Sequence, residues 1–343
     1  MAVLTGDSNS RTSVLVTIVT HNHEQYIKPC LESILSQTVT VRIKLIDNGS
    51  TDSTLQQARS VSGVEIEASA TNLGFSVAHN RLLEGEDFEF ALLLNPDVVL
   101  TPDYLELVLM NVNRYPAVGL AGGKLLRMDE RGTPVRKEGA FVFDSTGIYF
   151  TPQQRHFDRG SNQPDVGQYD RLEFVFGITG AAVVVRKSLY DDLLESQGEF
   201  LDEDFFAYRE DADLSWRARL RGWEALYVPD ALAFHVRKVL PEKRRSVDSQ
   251  INYHSVKNRF LMRWKNIDSS VFWRCFPHMW VRDIGIVLYI LAKERSSIAA
   301  WYELRRLRAK YSEKRSRIQT TRKIRGREIA WWFSYSPKSR SLV

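Results

Sequence analysis

The feature that most constrains the fold of this chain is an alternation of short apolar segments with helix-like segments over its first 115 residues. Apolar, β-branched stretches at SVLVTIVT, VRIKLI, VEIEAS and FEFALLL predict four strands. Segments such as EQYIKPCLESILSQ and NLGFSVAHNRLLEG lie between them and carry apolar residues at helical spacing. Strands that alternate with helices through short connections predict a parallel sheet covered by helices, which is an α/β fold.

Polar clusters follow the predicted strands, and they are His21-Asn22, Asp47-Asn48-Gly49-Ser50, Asn72-Leu73-Gly74 and Asn95-Pro96-Asp97. One such cluster would indicate only a turn, because Asn, Asp, Gly and Ser are common there. Several clusters at the ends of parallel strands would meet at one edge of the sheet, where open α/β sheets bind ligands. We therefore expect a ligand site at this edge, with Pro96 ending the fourth strand and fixing the backbone that presents Asp97.

Charge is distributed unevenly along the chain. Residues 235–343 carry 26 Lys and Arg against 8 Asp and Glu, whereas residues 1–234 carry 21 against 34. The basic part is expected to contact anions such as acidic lipid headgroups or pyrophosphates. Nucleic acid is not an expected partner, because the acidic part would repel RNA and an RNA-binding function would leave Asp47, Asp97 and Asp211 without a role.

Other sequence features predict a protein of a reducing compartment. The N-terminal MAVLTGDSNSRTS lacks the apolar core of a signal peptide, and no run of 18 apolar residues predicts a spanning helix. Cys30 and Cys275 are far apart and too few for a disulfide framework.

The middle of the chain is less regular. Residues 128–172 are polar and loop-rich, which suggests a mobile flap. The segment GEFLDEDFFAYREDADLSWRARLRGW opens with Asp202, Glu203 and Asp204, which we expect to form a solvated acidic loop. An amphipathic helix is predicted from Asp211 to Arg221, and Gly222 ends it.

Seven motifs occur in order along the chain: THNHEQY, LIDNGSTDST, NLGFSVAHN, LLLNPDV, GAAVVVRKSLYD, GEFLDEDFFAYREDADLSWRARLRGW and FH. This ordered set resembles the inverting family-2 glycosyltransferases with a GT-A fold, and within them the bacterial rhamnosyltransferase-type enzymes of cell-surface polysaccharide synthesis. The resemblance covers about residues 13–265 and implies a Rossmann-like, mostly parallel sheet with flanking helices. The resemblance divides residues 13–265 into a nucleotide-sugar-binding part, 13–115, and an acceptor and catalytic part, 116–265. A basic, aromatic-rich helical segment, 266–343, follows.

The resemblance implies a site for Mg²⁺ or Mn²⁺, which would neutralise charge on a nucleoside diphosphate leaving group. Asp97 matches the metal-binding carboxylate of the DxD motif, whose first position is Asn95 here. His235 matches a histidine that completes the metal site in related enzymes. A half-buried histidine at a strand end is the alternative, since imidazole suits Mn²⁺ better than Mg²⁺.

The resemblance also implies residues that bind the nucleotide-sugar donor. Asp47 matches a carboxylate that accepts a hydrogen bond from the imide N–H of uracil or thymine, a complementary pairing because a carboxylate only accepts. Gly74 would allow close backbone approach, and a helix beginning near Phe75 would offer N–H groups to an anion. The other predicted donor-binding residues are Thr20, Asn22, Asn72, Asn80 and Asn95.

Glu210-Asp211 matches the catalytic acid pair of the family. An inverting transfer needs a base to take the proton of the acceptor hydroxyl, and we assign this role to Asp211. A helix N-terminus favours its anion, while Glu210 and Asp213 raise its pKa. Capping of the helix is the alternative role, and it is compatible with catalysis.

The C-terminal segment favours an anionic membrane surface. HMWVRDIGIVLYILAKE holds about 14 mostly apolar residues, too few to span a bilayer. Basic residues interleaved with Trp and Tyr follow, which suits the headgroup region. A helical dimer interface with a solvated basic face is the alternative. The basic residues expected at the membrane are Arg305, Arg306, Arg308, Lys310, Lys314, Arg315 and Arg317.

Together these features predict a metal-dependent inverting glycosyltransferase, peripheral on the cytoplasmic face of the plasma membrane. It would transfer L-rhamnose from dTDP-rhamnose to a lipid-linked or polysaccharide acceptor, and a UDP-hexose or UDP-galactofuranose donor is the alternative. A sugar nucleotidyltransferase would need a Gly-, Arg- and Lys-rich phosphate loop after the first strand, and THNHEQY is not such a loop.

Overall fold

The computed structural model describes residues 13–237, 249–293 and 298–342. Residues 1–12, on which the expectation about a signal peptide depends, lie outside these ranges. The first part alternates as predicted: β1 (Val14–Thr20), α1 (Ile27–Leu35), β2 (Val41–Asp47), α2 (Thr54–Arg59), β3 (Val64–Ala68), α3 (Phe75–Leu83) and β4 (Phe90–Leu94). These four strands are parallel, in the order β4-β1-β2-β3. The register sets Thr20 directly beside Asp47.

The middle of the chain widens the sheet with strands of both directions. Its elements are β5 (Val98–Leu100), α4 (Tyr104–Val112), β6 (Val118–Met128), β7 (Arg136–Lys137), β8 (Ala140–Phe141), β9 (Phe143–Ser145), β10 (Ile148–Phe150), β11 (His156–Asp158), β12 (Glu173–Val175), β13 (Ala182–Arg186), α5 (Lys187–Gln197), a 3₁₀ turn (Glu203–Phe205), α6 (Glu210–Leu220) and β14 (Glu224–Val236). Strand β13 lies antiparallel between β4 and β6, and β14 runs parallel to β6.

Helices dominate the C-terminal part. They are α7 (Ser249–Asn266), α8 (Ser269–Lys293), α9 (Ile298–Arg306), α10 (Arg308–Thr321) and α11 (Gly326–Trp331), and β15 (Arg340–Ser341) then pairs with β12 at the sheet edge. The predicted fold class is confirmed: a mixed central sheet with flanking helices, followed by C-terminal helices. In the described ranges, no helix combines the length and apolar character needed to cross a bilayer.

The C-terminal helices share a hydrophobic core with the middle of the chain. Phe150 and Trp216 pack with Tyr311, Trp332 and Phe333, and all five are buried. The boundary drawn at residue 266 stays a prediction, but the segment after it is packed against the segment before it.

The acidic loop is solvated only in part, because Asp202 is fully buried and Asp204 is half-buried, whereas Glu203 is exposed as predicted. Lys265 of α7 donates to it, Lys314 of α10 lies 2.7 Å from its Oδ1, and the Tyr311 hydroxyl donates to its Oδ2 at 2.9 Å. Burial favours a neutral carboxyl, but the two ammonium groups outweigh it and lower the pKa of Asp202. Lys265 of α7 and Lys314 of the C-terminal segment therefore neutralise the buried carboxylate of the acidic loop.

Helix α6 is buried on nearly every side, so the prediction of an amphipathic helix is wrong. Its charged side chains are paired inside the protein. Asp213 lies 2.7 Å from Arg217 and 2.9 Å from Lys265, and Arg219 donates to the carbonyl oxygen of Phe176 at 2.6 Å. Pairing offsets much of the free-energy cost of burying a charged group, so this polar helix can lie in the interior.

Candidate active site at the strand ends

The ends of β1 and β2 form one wall of the candidate site. Asp47 is 2% exposed, and its carboxylate accepts hydrogen bonds from the backbone N–H and the hydroxyl of Ser50 at 3.1 and 2.5 Å. Thr20 is fully buried beside it. Asn22 has a φ of +57°, and its Oδ1 accepts from the Thr51 N–H at 2.8 Å. The first two loops are therefore joined by direct hydrogen bonds.

The loop after β3 is held against another loop of the protein at Gly74, where the nucleotide was expected to approach. Gly74 has a φ of +81°, and a Cβ there would lie 2.6 Å from the carbonyl oxygen of Phe206. The Phe75 N–H donates to that same oxygen at 2.6 Å. The loop that leads into α6 therefore makes the close approach at Gly74, and the Phe75 N–H is not available to an anion; donor binding by this segment stays a prediction.

Two asparagines of this region also make local bonds. The exposed Asn72 accepts a hydrogen bond from the Gly74 N–H at 2.9 Å, which shapes the turn before α3. Asn80 bonds with the backbone of Leu201 through both ends of its amide, at 2.9 and 3.0 Å. Asn80 thus fastens α3 to the acidic loop, and only Asn72 of the pair lies at the loop surface.

Asp97 and His235 come together although they are distant in sequence. Strand β5 pairs with the end of β14, which sets His235 opposite Val98 and leaves its Nε2 3.4 Å from Asp97 Oδ1. His235 is 7% exposed, so it is buried rather than half-buried. Burial by itself would lower the pKa of His235, but Asp144 and Asp97 outweigh it and raise that pKa to about 10.

Asp144 orients His235, and the sequence analysis did not identify it. Its Oδ2 lies 2.7 Å from His235 Nδ1, which leaves Nε2 directed toward Asp97. Metal-ligating histidines are commonly held by a carboxylate in this way. Asp144 is fully buried in the segment predicted to be a mobile flap, so that segment contributes to the interior. Because Asp144 lies in a polar, loop-rich stretch, nothing in the sequence distinguished it from the other polar residues there.

The residues at this position fit a divalent cation. An imidazole nitrogen and a carboxylate oxygen face each other, and a bound cation would displace the proton that His235 Nε2 holds toward Asp97. Oxygen and nitrogen donors suit Mn²⁺, while carboxylates suit Mg²⁺. Among the described residues there is no group of three or more His, Cys, Asp or Glu that could hold a metal. Asp97 and His235 would be the two ligands from the protein, and Asn95 is half-buried beside them, with its N–H donating to Ala181 at 2.9 Å.

Arg237 connects Asp144, which orients His235, to the carboxylate of Asp158. Its Nε lies 2.9 Å from Asp144 Oδ1, and its Nη2 lies 2.5 Å from Asp158 Oδ2. Burial opposes the charge of Arg237, but Asp158 and Asp144 raise its pKa above its ordinary value, and Asp211 contributes in the same direction. The sequence analysis did not identify Arg237, although its position two residues after His235 in AFHVRK could have indicated it.

Asp211 lies at the same edge of the sheet. Its Oδ2 accepts from the Gly180 N–H at 3.1 Å and its Oδ1 from the Ala212 N–H at 2.7 Å. Gly180 directly precedes the residue whose carbonyl binds the Asn95 N–H, so Asp211 is fixed to the end of β4 through the backbone. Burial raises the pKa of Asp211, and the Gly180 hydrogen bond partly offsets it.

Glu210 and Asp213 have different environments from Asp211. Burial, followed by repulsion from Asp211, raises the pKa of Glu210 to about 8. Glu210 Oε2 is buried and makes no hydrogen bond with the described part of the chain. Asp213 is enclosed by Arg217, Lys265 and Asn266 and serves the interior of the protein.

Asn258 of α7 holds the loop that precedes α6. Its Nδ2 lies 2.8, 2.9 and 2.8 Å from the carbonyl oxygens of Phe205, Ala207 and Tyr208. Three residues of this loop have positive φ, namely Phe206, Tyr208 and Arg209 at +63°, +71° and +77°. Such conformations are costly for residues other than glycine, so they need outside support.

Comparisons with known proteins identify the family of the chain. A family model described as "Glycosyl transferase family 2" matches residues 15–190. The chain is 29% identical over 243 residues to an N-acetylglucosaminyl-diphospho-decaprenol L-rhamnosyltransferase of Mycobacterium tuberculosis, which covers 65% of this chain and 76% of that protein. It is 23% identical over 219 residues to glycosyltransferase GlyA of Streptococcus pneumoniae, covering 57% of this chain and 30% of that protein.

Solved structures share the fold at low sequence identity. TarS 1–349 of S. aureus in complex with UDP-GlcNAc superimposes with a TM-score of 0.56 at 15% identity, covering 95% of this chain and 93% of that chain. GalNAc-T7 with UDP, GalNAc and Mn²⁺ gives a TM-score of 0.55 at 12% identity, covering 77% of this chain and 50% of that chain. At these identities the likeness is one of fold alone.

Proposed function

The chain belongs to glycosyl transferase family 2, and from that premise we propose that this glycosyltransferase transfers L-rhamnose from dTDP-rhamnose by a metal-dependent, inverting reaction. The observation that carries the proposal is the meeting of Asp47, Asp97 and Asp211 at one edge of the sheet. The choice of rhamnose is supported by the mycobacterial relative.

The donor nucleotide would bind beside β1 and β2. Asp47 would accept a hydrogen bond from the imide N–H of the base, with Thr20, Asn22 and Asn72 around it. Uracil and thymine both carry that N–H, so this contact does not select between them. A UDP-hexose or UDP-galactofuranose donor is therefore the second candidate.

Asp97 and His235 would hold Mg²⁺ or Mn²⁺ against the donor diphosphate, with Asn95 near the sugar. The ion supplies charge neutralisation as the nucleoside diphosphate leaves. Asp144 keeps the imidazole of His235 in the orientation that directs Nε2 toward Asp97.

Asp211 would act as the general base. The acceptor hydroxyl oxygen forms a bond to the anomeric carbon from the face opposite the diphosphate, and the bond from that carbon to the diphosphate oxygen breaks. The hydroxyl proton moves to an oxygen of Asp211. Burial makes the Asp211 carboxylate more basic, which favours this transfer, and Glu210 assists by remaining a neutral neighbour.

The acceptor would be lipid-linked or polysaccharide, presented at the cytoplasmic face of the plasma membrane. Helix α8 supports a peripheral contact because Trp273, Trp280, Val281 and Leu288 are 70, 58, 67 and 60% exposed. The basic residues expected at the membrane need correction in part, since Lys314 is bound to the acidic loop and Arg315 to the backbone of Trp264 and Ile267. A second copy of the chain on the same face of α8 is the alternative.

A thermal-shift panel of nucleotide sugars with Mg²⁺ or Mn²⁺ tests the proposal. A donor that binds only the folded protein raises its melting temperature by mass action. We expect the largest increase with dTDP-rhamnose and metal, and a smaller increase when the metal is chelated. No increase with any dTDP- or UDP-sugar would contradict the proposed function.

A further inference from the structure

A cavity of about 300 Å³ opens beside Asp97, and the residues on its other walls have no role in the proposed reaction. It lies between the start of α1, the turn after β6 and the end of β14. The polar residues of these walls are Gln25 and Tyr26 from α1 and the segment before it, and Glu130 and Arg131 from the turn. Its volume is at the lower end of the range for small-molecule sites. The cavity can therefore take a small polar group, and its walls indicate which kind.

The turn after β6 is fixed on two sides. Asp129 Oδ1 accepts a hydrogen bond from the Arg131 N–H at 2.9 Å, which shapes the turn from within. The Tyr26 hydroxyl donates to the Glu130 carbonyl oxygen at 2.9 Å and so joins the turn to the start of α1. Burial, followed by the charges of neighbouring carboxylates, raises the pKa of Tyr26, so its hydroxyl keeps the proton that it donates. The backbone that carries Arg131 is thus held at the wall of the cavity.

Arg131 supplies the positive charge of this cavity. Among the described residues that line it, no other side chain is cationic. Arg131 is exposed, and its guanidinium makes no ion pair or hydrogen bond with the described part of the chain. Asp97 and Glu130 alone would repel an anion. A divalent cation at Asp97 together with the guanidinium would attract one.

Helices α1 and α3 cover opposite faces of the sheet, as the side chains of β1 show. Ile18 packs in one hydrophobic cluster with Ile27 of α1. The hydroxyl of Thr17, the residue before it, lies 2.9 Å from His79 Nδ1 of α3. Successive side chains of a strand point to opposite faces. The cavity, which α1 borders, therefore lies toward one face, and residues that contact α3 lie toward the other.

Asp211 lies on the α3 side of the sheet edge. A Cβ at Gly180 would lie 3.3 Å from the Cβ of Asp211 and 3.7 Å from the ring of Phe75, the first residue of α3. An inverting transfer needs its base and its leaving group on opposite sides of the sugar ring. With Asp211 as the base, the leaving group belongs on the α1 side of Asp97, where the cavity is.

We propose that the diphosphate of the donor lies in the cavity on the α1 side of Asp97, where the Arg131 guanidinium donates to its oxygens. This inference rests on the proposed function and adds a donor-binding residue that the sequence analysis did not identify. Guanidinium groups pair with phosphate oxygens in a forked geometry that a lysine cannot reproduce. Tyr26 is a positioning residue, because it acts through the turn that carries Arg131.

The test measures binding of dTDP and of UDP, each with Mn²⁺, to the full chain by calorimetry. Arg131→Gln should weaken the nucleotide that binds wild type by about tenfold or more, the change expected for one lost charge-assisted hydrogen bond. Arg136→Gln is the matched control, because Arg136 is also exposed and does not line the cavity. It removes the same charge from the next strand and should bind as wild type.

Nucleosides separate the diphosphate from the base. Thymidine and uridine carry no phosphate, so they should bind wild type and Arg131→Gln equally in titrations followed by ligand-observed NMR. A weakening of nucleoside binding equal to that of the diphosphate would place Arg131 at the nucleoside and overturn the inference.

A double-mutant cycle tests the role of Tyr26. Tyr26→Phe keeps the ring and removes the hydroxyl that holds the turn, so it should weaken nucleoside diphosphate binding severalfold in the wild-type background. In the Arg131→Gln background the same change should have little further effect, because residues that act as one unit are not additive. Additive losses would contradict the assignment of Tyr26 as a residue that acts through Arg131.

The outcomes distinguish this inference from the proposed function. If wild type binds neither dTDP nor UDP with Mn²⁺, the proposed function fails and the inference fails with it. If wild type binds one of them and Arg131→Gln binds it equally well, or Arg136→Gln weakens it as much as Arg131→Gln does, the inference alone is overturned.

Discussion

Asp144 Oδ2 lies 2.7 Å from His235 Nδ1, on the opposite side of the imidazole from Asp97. Asp144→Asn keeps the shape of the side chain but removes the negative charge that holds the ring. We expect the activation constant for Mn²⁺ to rise about 10- to 100-fold, the range seen for residues that orient a metal-binding histidine. Asp191→Asn, at an exposed carboxylate of α5, is the control. An unchanged Mn²⁺ titration for Asp144→Asn would separate His235 from the metal.

Glu210 should make stability depend on pH. Its pKa is raised to about 8 in the folded protein, mainly by burial, and is near 4.5 when unfolded. Between these values the folded state holds a proton that the unfolded state has lost, so this contribution to stability falls as pH rises. Chemical unfolding of wild type and Glu210→Gln from pH 5 to pH 8 checks it. We expect wild type to lose stability relative to the variant, and a constant difference would contradict the buried, neutral carboxyl.

Asn258 should matter for turnover more than for donor binding. Asn258→Ala removes the donor that bonds three carbonyls of the strained loop before α6, so Asp211 would lose its fixed position. We expect kcat to fall on the order of tenfold to 100-fold with the nucleotide-sugar melting shift retained, because small misplacements are costly. Asn111→Ala is a matched control, since Asn111 is also buried and donates to one carbonyl, that of Leu107, at 2.9 Å. Equal losses of kcat in both variants would reduce Asn258 to a structural role.

The exposed apolar residues of α8 should govern membrane binding. Trp280, Val281 and Leu288 are each more than half exposed, so their replacement by Ser should not disturb the core. We expect the triple variant to remain in the supernatant when wild type sediments with acidic liposomes, because buried apolar area drives interfacial binding. If wild type ignores liposomes and the variant converts a dimer into a monomer, α8 is a subunit interface.

The sequence predicts the strands and helices of the first part of the chain because the signals for them are local. The spacing of apolar residues and the turn residues that follow them locate each strand and its end. Parallel pairing then brings Thr20 beside Asp47. The neighbourhood of Asp97 and His235 followed from the family resemblance rather than from spacing, since it depends on the pairing of β5 with the end of β14.

Long-range contacts explain what the sequence could not predict. Asp144 binds a residue 91 positions away, and Asp202 is buried by Lys265 and Lys314, which are 63 and 112 positions away. Gly74 allows a close approach of another group, as predicted, but that group is Phe206 rather than a nucleotide. Composition indicates that a charge needs a partner, and only the fold identifies which one.

The rate of nucleoside diphosphate release from the donor sugar, measured for wild type, Asp97→Ala and Asp211→Asn, tests the central claim most directly. If Asp97 holds the metal and Asp211 takes the proton, both variants should lose roughly 10²-fold or more in rate. Only Asp97→Ala should also lose the metal-dependent melting shift. A near-normal rate in either variant would contradict the claim that these two carboxylates form one glycosyl-transfer site.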